Sequence, residues 1–153
     1  MNGIADFSPA VNLSERTQEE EPHMAKILVV DDDSGCRRLT SRILTAFGYA
    51  SVLASNGVEA LDVLRREDVD LILLDLMMPE MDGLTFMRVM RGEAKWANVP
   101  VLVLSGVADL EVANTVRETG VQGYLVKSRY SIDDLLGQVR RYIAPGSSPQ
   151  SSN

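Results

Sequence analysis

The sequence is poor in the residues that mark several classes of protein. It contains one cysteine, Cys36, so it cannot form an internal disulfide and gives no sign of an oxidising compartment. Its one histidine, His23, has no second histidine or cysteine beside it, and a zinc site is not indicated. No apolar run approaches the roughly 20 residues of a membrane span, and the N-terminus lacks a basic region followed by an apolar one. We therefore expect a cytoplasmic protein without membrane contact.

Aromatic residues are also scarce, and acids outnumber bases. Aromatic residues make up 5% of the chain and hydrophobic residues 45%, which fits an α/β core filled by Val, Leu, Ile and Met. The net charge of -7 argues against direct nucleic-acid binding. Five acids and one arginine give residues 1–23 a charge of -4, so the remainder of the chain carries only -3.

Composition and patterning divide the chain into three parts. Residues 1–23 contain Asn-Gly, Ser-Pro and Glu-Glu-Glu-Pro with no sustained period of 2 or 3.6, which predicts a disordered tail. Residues 24–144 are long enough for one domain with a real core, and no second domain fits. Residues 145–153 are rich in Pro, Gly and Ser, which predicts a flexible C-terminal tail.

The domain is organised around the apolar run at residues 71–74, which ends in Asp75. Four apolar residues without alternation indicate a strand buried on both faces, as in a parallel sheet covered by helices. Pro79 and the turn pair Asp82-Gly83 then direct the chain out of the sheet. Asp75 is thereby expected at the carboxyl edge of the sheet, where open α/β folds bind ligands.

Four further strands and five helices are predicted around this central strand. Apolar runs at residues 27–30, 49–54, 101–104 and 123–126 indicate the strands. Ser34 is a good N-cap for the first helix. The last helix follows the cap Ser131 and is expected to turn one apolar face inward, formed by Ile132, Leu135, Leu136, Val139 and Ile143. The alternation of strands and helices predicts right-handed crossovers and a five-stranded parallel sheet.

Four of the five predicted strands end in polar groups that could carry chemistry. The groups are Asp31 with Asp32, Asp75, Ser105 and Lys127. Two like charges about 5 Å apart repel by roughly 3 kcal/mol at an effective dielectric near 20, so the acids need a cation. Lys127 supplies one positive charge, and oxygen-only ligands suit hydrated Mg²⁺. With these cations and the Ser105 hydroxyl beside it, Asp75 is equipped to accept a phosphoryl group as an aspartyl phosphate.

The same residues resemble the receiver domain of two-component response regulators, most nearly the single-domain chemotaxis type. The resemblance covers about residues 26–143. It includes the acid pair after Val-Val, Asp75 within Leu-Leu-Asp-Leu-Met-Met-Pro-Glu-Met-Asp-Gly, Ser105-Gly106, and Tyr124 three residues before Lys127. It implies a flavodoxin-like, doubly wound five-stranded sheet in the order 2-1-3-4-5 with five helices.

The resemblance also implies a role for each site residue. Asp75 would be the phosphoacceptor, and the backbone carbonyl of Met77 would join the three acids as a ligand of Mg²⁺. Ser105 and Tyr124 would be the switch pair, in which the hydroxyl moves toward the phosphate and the ring fills the vacated space. The family usually has proline after the lysine, whereas Ser128 follows Lys127 here, which leaves the shape of that loop open.

Partners follow from the same resemblance. The phosphoryl donor would be a histidine kinase or a histidine phosphotransfer protein. The output protein would dock on the face formed by the fourth helix, fifth strand and fifth helix, and the receiver would be a monomer or a weak phosphorylation-dependent dimer. Only nine residues follow Ala144, so we expect a stand-alone receiver. We do not expect an enzyme beyond catalysis of its own phosphoryl transfer and autodephosphorylation.

Two other functions remain open at this point. A metal-dependent phosphatase of the haloacid dehalogenase type also forms an aspartyl phosphate, but it needs a second acid two residues after the nucleophile, where this chain has Met77. A degenerate receiver could instead serve as a constitutive binding module, although the complete set of acids, hydroxyl and lysine counts against it.

Overall fold

A computed structural model describes residues 24–76, 83–105, 121–127 and 129–143, together with Asn114, Arg117 and Glu118. The strands are β1 Lys26–Val30, β2 Ala50–Ala54, β3 Leu71–Asp75, β4 Val101–Ser105 and β5 Gly123–Val126. The α-helices described are α1 Ser34–Ala46, α2 Gly57–Arg66, α3 Gly83–Arg91 and α4 Ile132–Tyr142, and a 3-10 helix spans Ala94–Trp96.

All five strands are parallel and form one sheet in the order β2-β1-β3-β4-β5. This confirms the predicted flavodoxin-like topology. β1 and β3 lie next to each other in the middle of the sheet, so the two acid-bearing strand ends are neighbours. The strand order reverses between β1 and β3, and open α/β folds bind ligands at this position.

Apolar residues fill both faces of the sheet. Successive residues of β1 belong to different hydrophobic clusters, so that Leu28 lies in one and Ile27 in the other. One cluster packs under α2 and α3 and includes Phe86, whereas the other packs under α1 and α4 and includes Leu136. This double coverage explains why β3 reads as an unbroken apolar run, because every residue of the strand is buried.

Some predicted elements differ from the structure or lie outside the described residues. The helix predicted between β4 and β5 is described only at Asn114, Arg117 and Glu118, which are helical. The second strand begins at Ala50, one residue later than predicted. Both predicted tails, residues 1–23 and 145–153, lie outside the described residues. None of the helices described is long and apolar enough to cross a membrane.

The predicted inward face of the last helix is correct except at its first residue. Leu135, Leu136, Val139 and Ile143 are buried, and Ser131 caps the helix with a full capping box to Asp134. The remaining member, Ile132, is 49% exposed, so its prediction as an inward residue is wrong. It borders an open cleft between α1 and α4.

Candidate functional site

The carboxyl ends of β3, β4 and β5 are aligned by the register of the sheet. Asp75, the last residue of β3, lies opposite Leu104 of β4. Ser105, the last residue of β4, lies opposite Val126 of β5, and Lys127 follows directly. The register therefore brings three predicted site residues to one edge, next to the end of β1.

Three carboxylates meet at this edge. Asp31, Asp32 and Asp75 each present one oxygen, and these oxygens lie within 4.8 Å of one another. Asp31 and Asp75 are buried, with 4% and 6% of their surface exposed, whereas Asp32 is exposed. The backbone amide of Asp33 donates to Oδ1 of Asp31 at 2.9 Å, which fixes that carboxylate. The cluster thus has two buried acids and one that faces solvent.

Lys127 bridges the two buried acids. Its Nζ donates to Oδ2 of Asp31 at 2.8 Å and lies 3.5 Å from Oδ2 of Asp75. Burial alone would lower the pKa of Lys127, but the hydrogen bond to Asp31 and the charges of Asp75 and Asp31 outweigh burial and raise the pKa above its usual value. Lys127 is therefore a fixed positive charge at neutral pH.

The three acids and Lys127 carry a formal charge of -2 between them. Carboxylate oxygens are the ligands that Mg²⁺ prefers, and this ion keeps several waters, so one exposed acid at the cluster is compatible with it. The donor set contains no sulfur or imidazole, which would favour other metals. Asp31, Asp32 and Asp75 are the residues that would hold such an ion.

The first turn of α1 is anchored to the acid cluster. Asp33, rather than the predicted Ser34, is the N-cap, and its carboxylate accepts from the amide of Cys36 at 3.0 Å. This hydrogen bond is the main reason that the pKa of Asp33 is lowered. Both residue types cap helices well, and Asp33 takes the position because its own amide is held by Asp31.

Arg37 also contacts the site, although no pattern in the sequence indicates it. The guanidinium of Arg37 donates to the backbone carbonyl of Asp31 at 2.6 Å. The guanidinium is therefore bonded to the backbone of Asp31 rather than to its carboxylate. The only sequence signal is its position in α1, one turn after the cap, which many helices fill with a solvated arginine.

Gly83 fixes the chain segment that leaves β3. Its amide donates to the carbonyl of Leu76 at 2.9 Å. A Cβ atom at this position would lie 2.8 Å from Cα of Leu76 and 3.0 Å from the carbonyl oxygen of Asp75. Only glycine allows this approach, so the start of α3 packs directly on the backbone that carries Asp75.

The remaining predicted site residues are only partly described. The backbone of Ser105 ends β4 as predicted. Tyr124 is partly buried in β5 and packs against the cluster under α2 and α3. Met77 and Ser128 lie outside the described residues, so the predicted Met77 ligand and the loop shape at Ser128 stay predictions.

Comparisons with known proteins agree on one family. The model of the response regulator receiver domain matches residues 27–140. Sporulation initiation phosphotransferase F of Bacillus subtilis is 32% identical over 77% of this chain and 93% of its own length. A chemotaxis protein CheY homolog of Campylobacter jejuni is 37% identical over 73% and 92%. The probable transcriptional regulator ycf27 of Porphyridium aerugineum is 34% identical over 84% of this chain, which spans only about half, 52%, of that relative.

Solved structures show the same likeness. Chemotaxis protein CheY4 of Vibrio cholerae superimposes with a TM-score of 0.74 at 32% identity, over 78% of this chain and 99% of that one. A response regulator receiver protein from Pseudomonas putida gives 0.73 at 30% identity, over 77% and 97%. Sequence and structure comparisons therefore converge on the same fold and family.

Proposed function

The chain belongs to the response regulator receiver family, and we propose that it is a stand-alone receiver that accepts a phosphoryl group on Asp75. The donor is a histidine kinase or a histidine phosphotransfer protein. One observation carries the proposal: Lys127 joins Asp31 and Asp75 at 2.8 Å and 3.5 Å, at an edge where three carboxylates converge. A lysine that touches the acceptor is placed to contact the transferred group.

The proposed reaction is an in-line transfer from phosphohistidine. A carboxylate oxygen of Asp75 attacks phosphorus and the new O–P bond forms, while the P–N bond breaks with its electron pair going to the imidazole, which takes up a proton from solvent. Lys127 then stabilises charge on the phosphoryl oxygens, because its ammonium already lies beside Asp75. Mg²⁺ bound by Asp31, Asp32, Asp75 and the Met77 carbonyl would neutralise further charge on those oxygens.

The consequences of phosphorylation are part of the same proposal. The Ser105 hydroxyl and the Tyr124 ring act as the switch pair and reshape the face formed by β5, α4 and the helix between β4 and β5. An output protein reads that face, or the phosphoryl group passes onward to another protein. The receiver acts in the cytoplasm as a monomer or weak phosphorylation-dependent dimer, and it turns over no outside substrate.

Two of the relatives support the stand-alone arrangement, whereas others are longer proteins. The chain spans 93% of the sporulation phosphotransferase and 92% of the chemotaxis homolog, whose lengths are close to that of one receiver. The ycf27 relatives are about twice as long as the matched region.

The test is phosphorylation by acetyl phosphate in Mg²⁺, followed by intact-protein mass. Wild type should gain one phosphoryl group, and Asp75→Asn should gain none, because an amide oxygen is a poor nucleophile. Asp70→Asn is the matched control, since Asp70 precedes the same strand and its carboxylate accepts from the Lys26 amide at 2.9 Å. Wild type that gains nothing would favour the degenerate receiver, and phosphorylation of Asp75→Asn would overturn the assigned acceptor.

A further inference from the structure

A cleft of about 230 Å³ lies between α1 and α4, beside the acid cluster. Leu39 and Ile43 line it from α1, Ile132 and Leu135 line it from α4, and Leu104 lines it from β4. An apolar cavity of roughly 150 Å³ holds one benzene ring, so this cleft has room for one ring with a short substituent.

The mouth of the cleft is apolar and open to solvent. Leu39 is 59% exposed and Ile132 is 49% exposed, whereas Leu44 of α1 and Leu135, Leu136 and Val139 of α4 are buried. The two exposed aliphatic side chains lie on opposite sides of the opening, which gives a ligand access to the cleft. A ligand that covers them also removes apolar surface from water, and this burial favours binding.

One polar group inside the cleft lacks a partner. Thr40 is only 8% exposed, and in the part of the chain that the structure describes its hydroxyl makes no hydrogen bond. A threonine within a helix commonly bonds the carbonyl four residues earlier, which here is that of Cys36, but Thr40 does not. A buried hydroxyl without a partner is unfavourable, so a polar atom of a ligand at this position would be stabilised.

A second hydroxyl lines the same cleft. The partly buried Tyr130 borders it, and among the described residues its phenol makes no hydrogen bond either. The cleft is therefore lined mainly by apolar residues, together with two residues whose hydroxyls make no hydrogen bond among the described residues. This combination suits a ligand with one ring and one hydrogen-bonding group.

The charges at the inner end of the cleft select against an ionic ligand. Asp31 and Lys127 line that end, and the Lys127 ammonium is already held by Asp31 at 2.8 Å. Asp32 and Asp75 lie in the same acid cluster, so carboxylates outnumber the lysine. Without bound Mg²⁺, this surplus of negative charge would repel an anion, whereas a cation would bind the carboxylates rather than the cleft.

We propose that this cleft is a binding site for a neutral one-ring aromatic alcohol. The ring packs among Leu39, Ile43 and Leu135, and the alcohol forms a hydrogen bond with the hydroxyl of Thr40. The cleft borders the phosphoacceptor site, because Asp31 and Lys127 line its inner end, but ligand binding does not require Asp75 to be phosphorylated.

The test is an NMR titration of the full chain with benzyl alcohol and with ethylbenzene, which has the same number of non-hydrogen atoms and no hydroxyl. We expect saturable shifts in α1 and α4, with a Kd on the order of 1 mM for a ligand of eight non-hydrogen atoms. Thr40→Val should raise the Kd of benzyl alcohol by about fivefold to tenfold and leave the Kd of ethylbenzene unchanged. Thr45→Val, at an exposed position of the same helix, should change neither of the two Kd values.

A second readout uses wild type alone, so it holds even if Thr40→Val fails to fold. Cys36 lines the cleft and is the only cysteine in the sequence. Benzyl alcohol should slow alkylation of its thiol, with half-protection at the Kd found by NMR. Absence of saturable shifts, shifts confined to the separate cleft at Arg117 and Tyr124, or an unchanged alkylation rate would overturn the proposal. Neither readout involves phosphoryl transfer, so failure here is distinct from failure of the proposed function.

Discussion

The two ends of β1 carry ion pairs of the same length in different surroundings. At the amino end, Nζ of Lys26 lies 2.8 Å from a Glu67 carboxylate oxygen, and the two side chains are 36% and 31% exposed. Past the carboxyl end, Nζ of Lys127 lies 2.8 Å from Asp31, but the side chains are 24% and 6% exposed. Distance alone does not distinguish them.

The difference lies in charge balance. At the amino end, Glu67 takes the Lys26 ammonium while Asp70 accepts from the Lys26 backbone amide, so each carboxylate has its own donor. At the carboxyl end, one lysine faces three acids within 4.8 Å of one another. The first end is a closed structural pair, and the second retains excess negative charge that a cation can neutralise. The surplus of carboxylates over lysine, rather than the salt bridge itself, therefore marks the site.

The largest expected effect comes from removing the two lysines in turn. Lys127→Met should slow phosphorylation by acetyl phosphate by about 100-fold to 1000-fold, since loss of one donor to a developing oxyanion costs about 2.7–4 kcal/mol. Lys26→Met should leave the rate within about twofold, because its charge serves only the amino end. Rates come from intact-protein mass over time, with circular dichroism to verify folding. An equal loss of phosphorylation rate in both variants would contradict the distinction between the two ends of β1.

Two glycines at opposite ends of α3 test how tightly the acid end is packed. Gly83→Ala should lower the free energy of unfolding by about 1–3 kcal/mol, because its Cβ would lie 2.8 Å from Cα of Leu76. Gly92→Ala should be neutral or stabilising by up to about 1 kcal/mol, since its nearest contact would be 3.4 Å. Urea unfolding of both variants measures the difference. Similar midpoints for the two would contradict the close approach at Leu76.

Metal binding gives a smaller effect. At ten times its Kd, Mg²⁺ should stabilise wild type by about 1.4 kcal/mol, seen as a rise in Tm that EDTA reverses. Asp31→Asn should lose most of this rise, because it removes one of the three carboxylates. Glu67→Gln should keep the full rise, since Glu67 pairs at the other end of β1. A metal response that survives Asp31→Asn would place the ion elsewhere.

The smallest effect concerns the exposed pair itself. The hydrogen bond from Lys26 is the main cause that lowers the pKa of Glu67. A folded-state pKa below the unfolded value means that the contribution is present above the unfolded pKa and is lost as pH falls through the folded one. Urea midpoints of wild type and Glu67→Gln should therefore differ at pH 7 and converge at low pH. A difference that persists in strong acid would show that the charge of Glu67 is not responsible.

The sheet and the position of the acids could be predicted because they follow from local pattern. Unbroken apolar runs that alternate with amphipathic helices leave a parallel sheet as the solution, and parallel strands bring their carboxyl ends together. That geometry is sufficient to bring Asp31, Asp75 and Lys127 together.

Other features depend on contacts that no periodicity contains. Asp33 and Ser34 are equally good caps, and the Asp33 amide held by Asp31 decides between them. Ile132 continues an apolar stripe, but it is 49% exposed in the part of the chain that the structure describes. Arg37 contacts a backbone carbonyl, and Thr40 lines a cleft formed by two helices far apart in sequence, so neither role is visible in residue type.

Metal-dependent phosphorylation of Asp75 is tested most sharply by identifying which residue carries the phosphoryl group. Borohydride reduction converts an aspartyl phosphate to homoserine, and peptide mass spectrometry then locates it. After acetyl phosphate treatment in Mg²⁺, homoserine should appear at position 75 and be absent from positions 31, 32 and 33, and EDTA should suppress it. Homoserine at another acid, or an equal yield at position 75 with EDTA, would contradict the claim that the acids and Lys127 at this edge form a metal-dependent phosphoacceptor site.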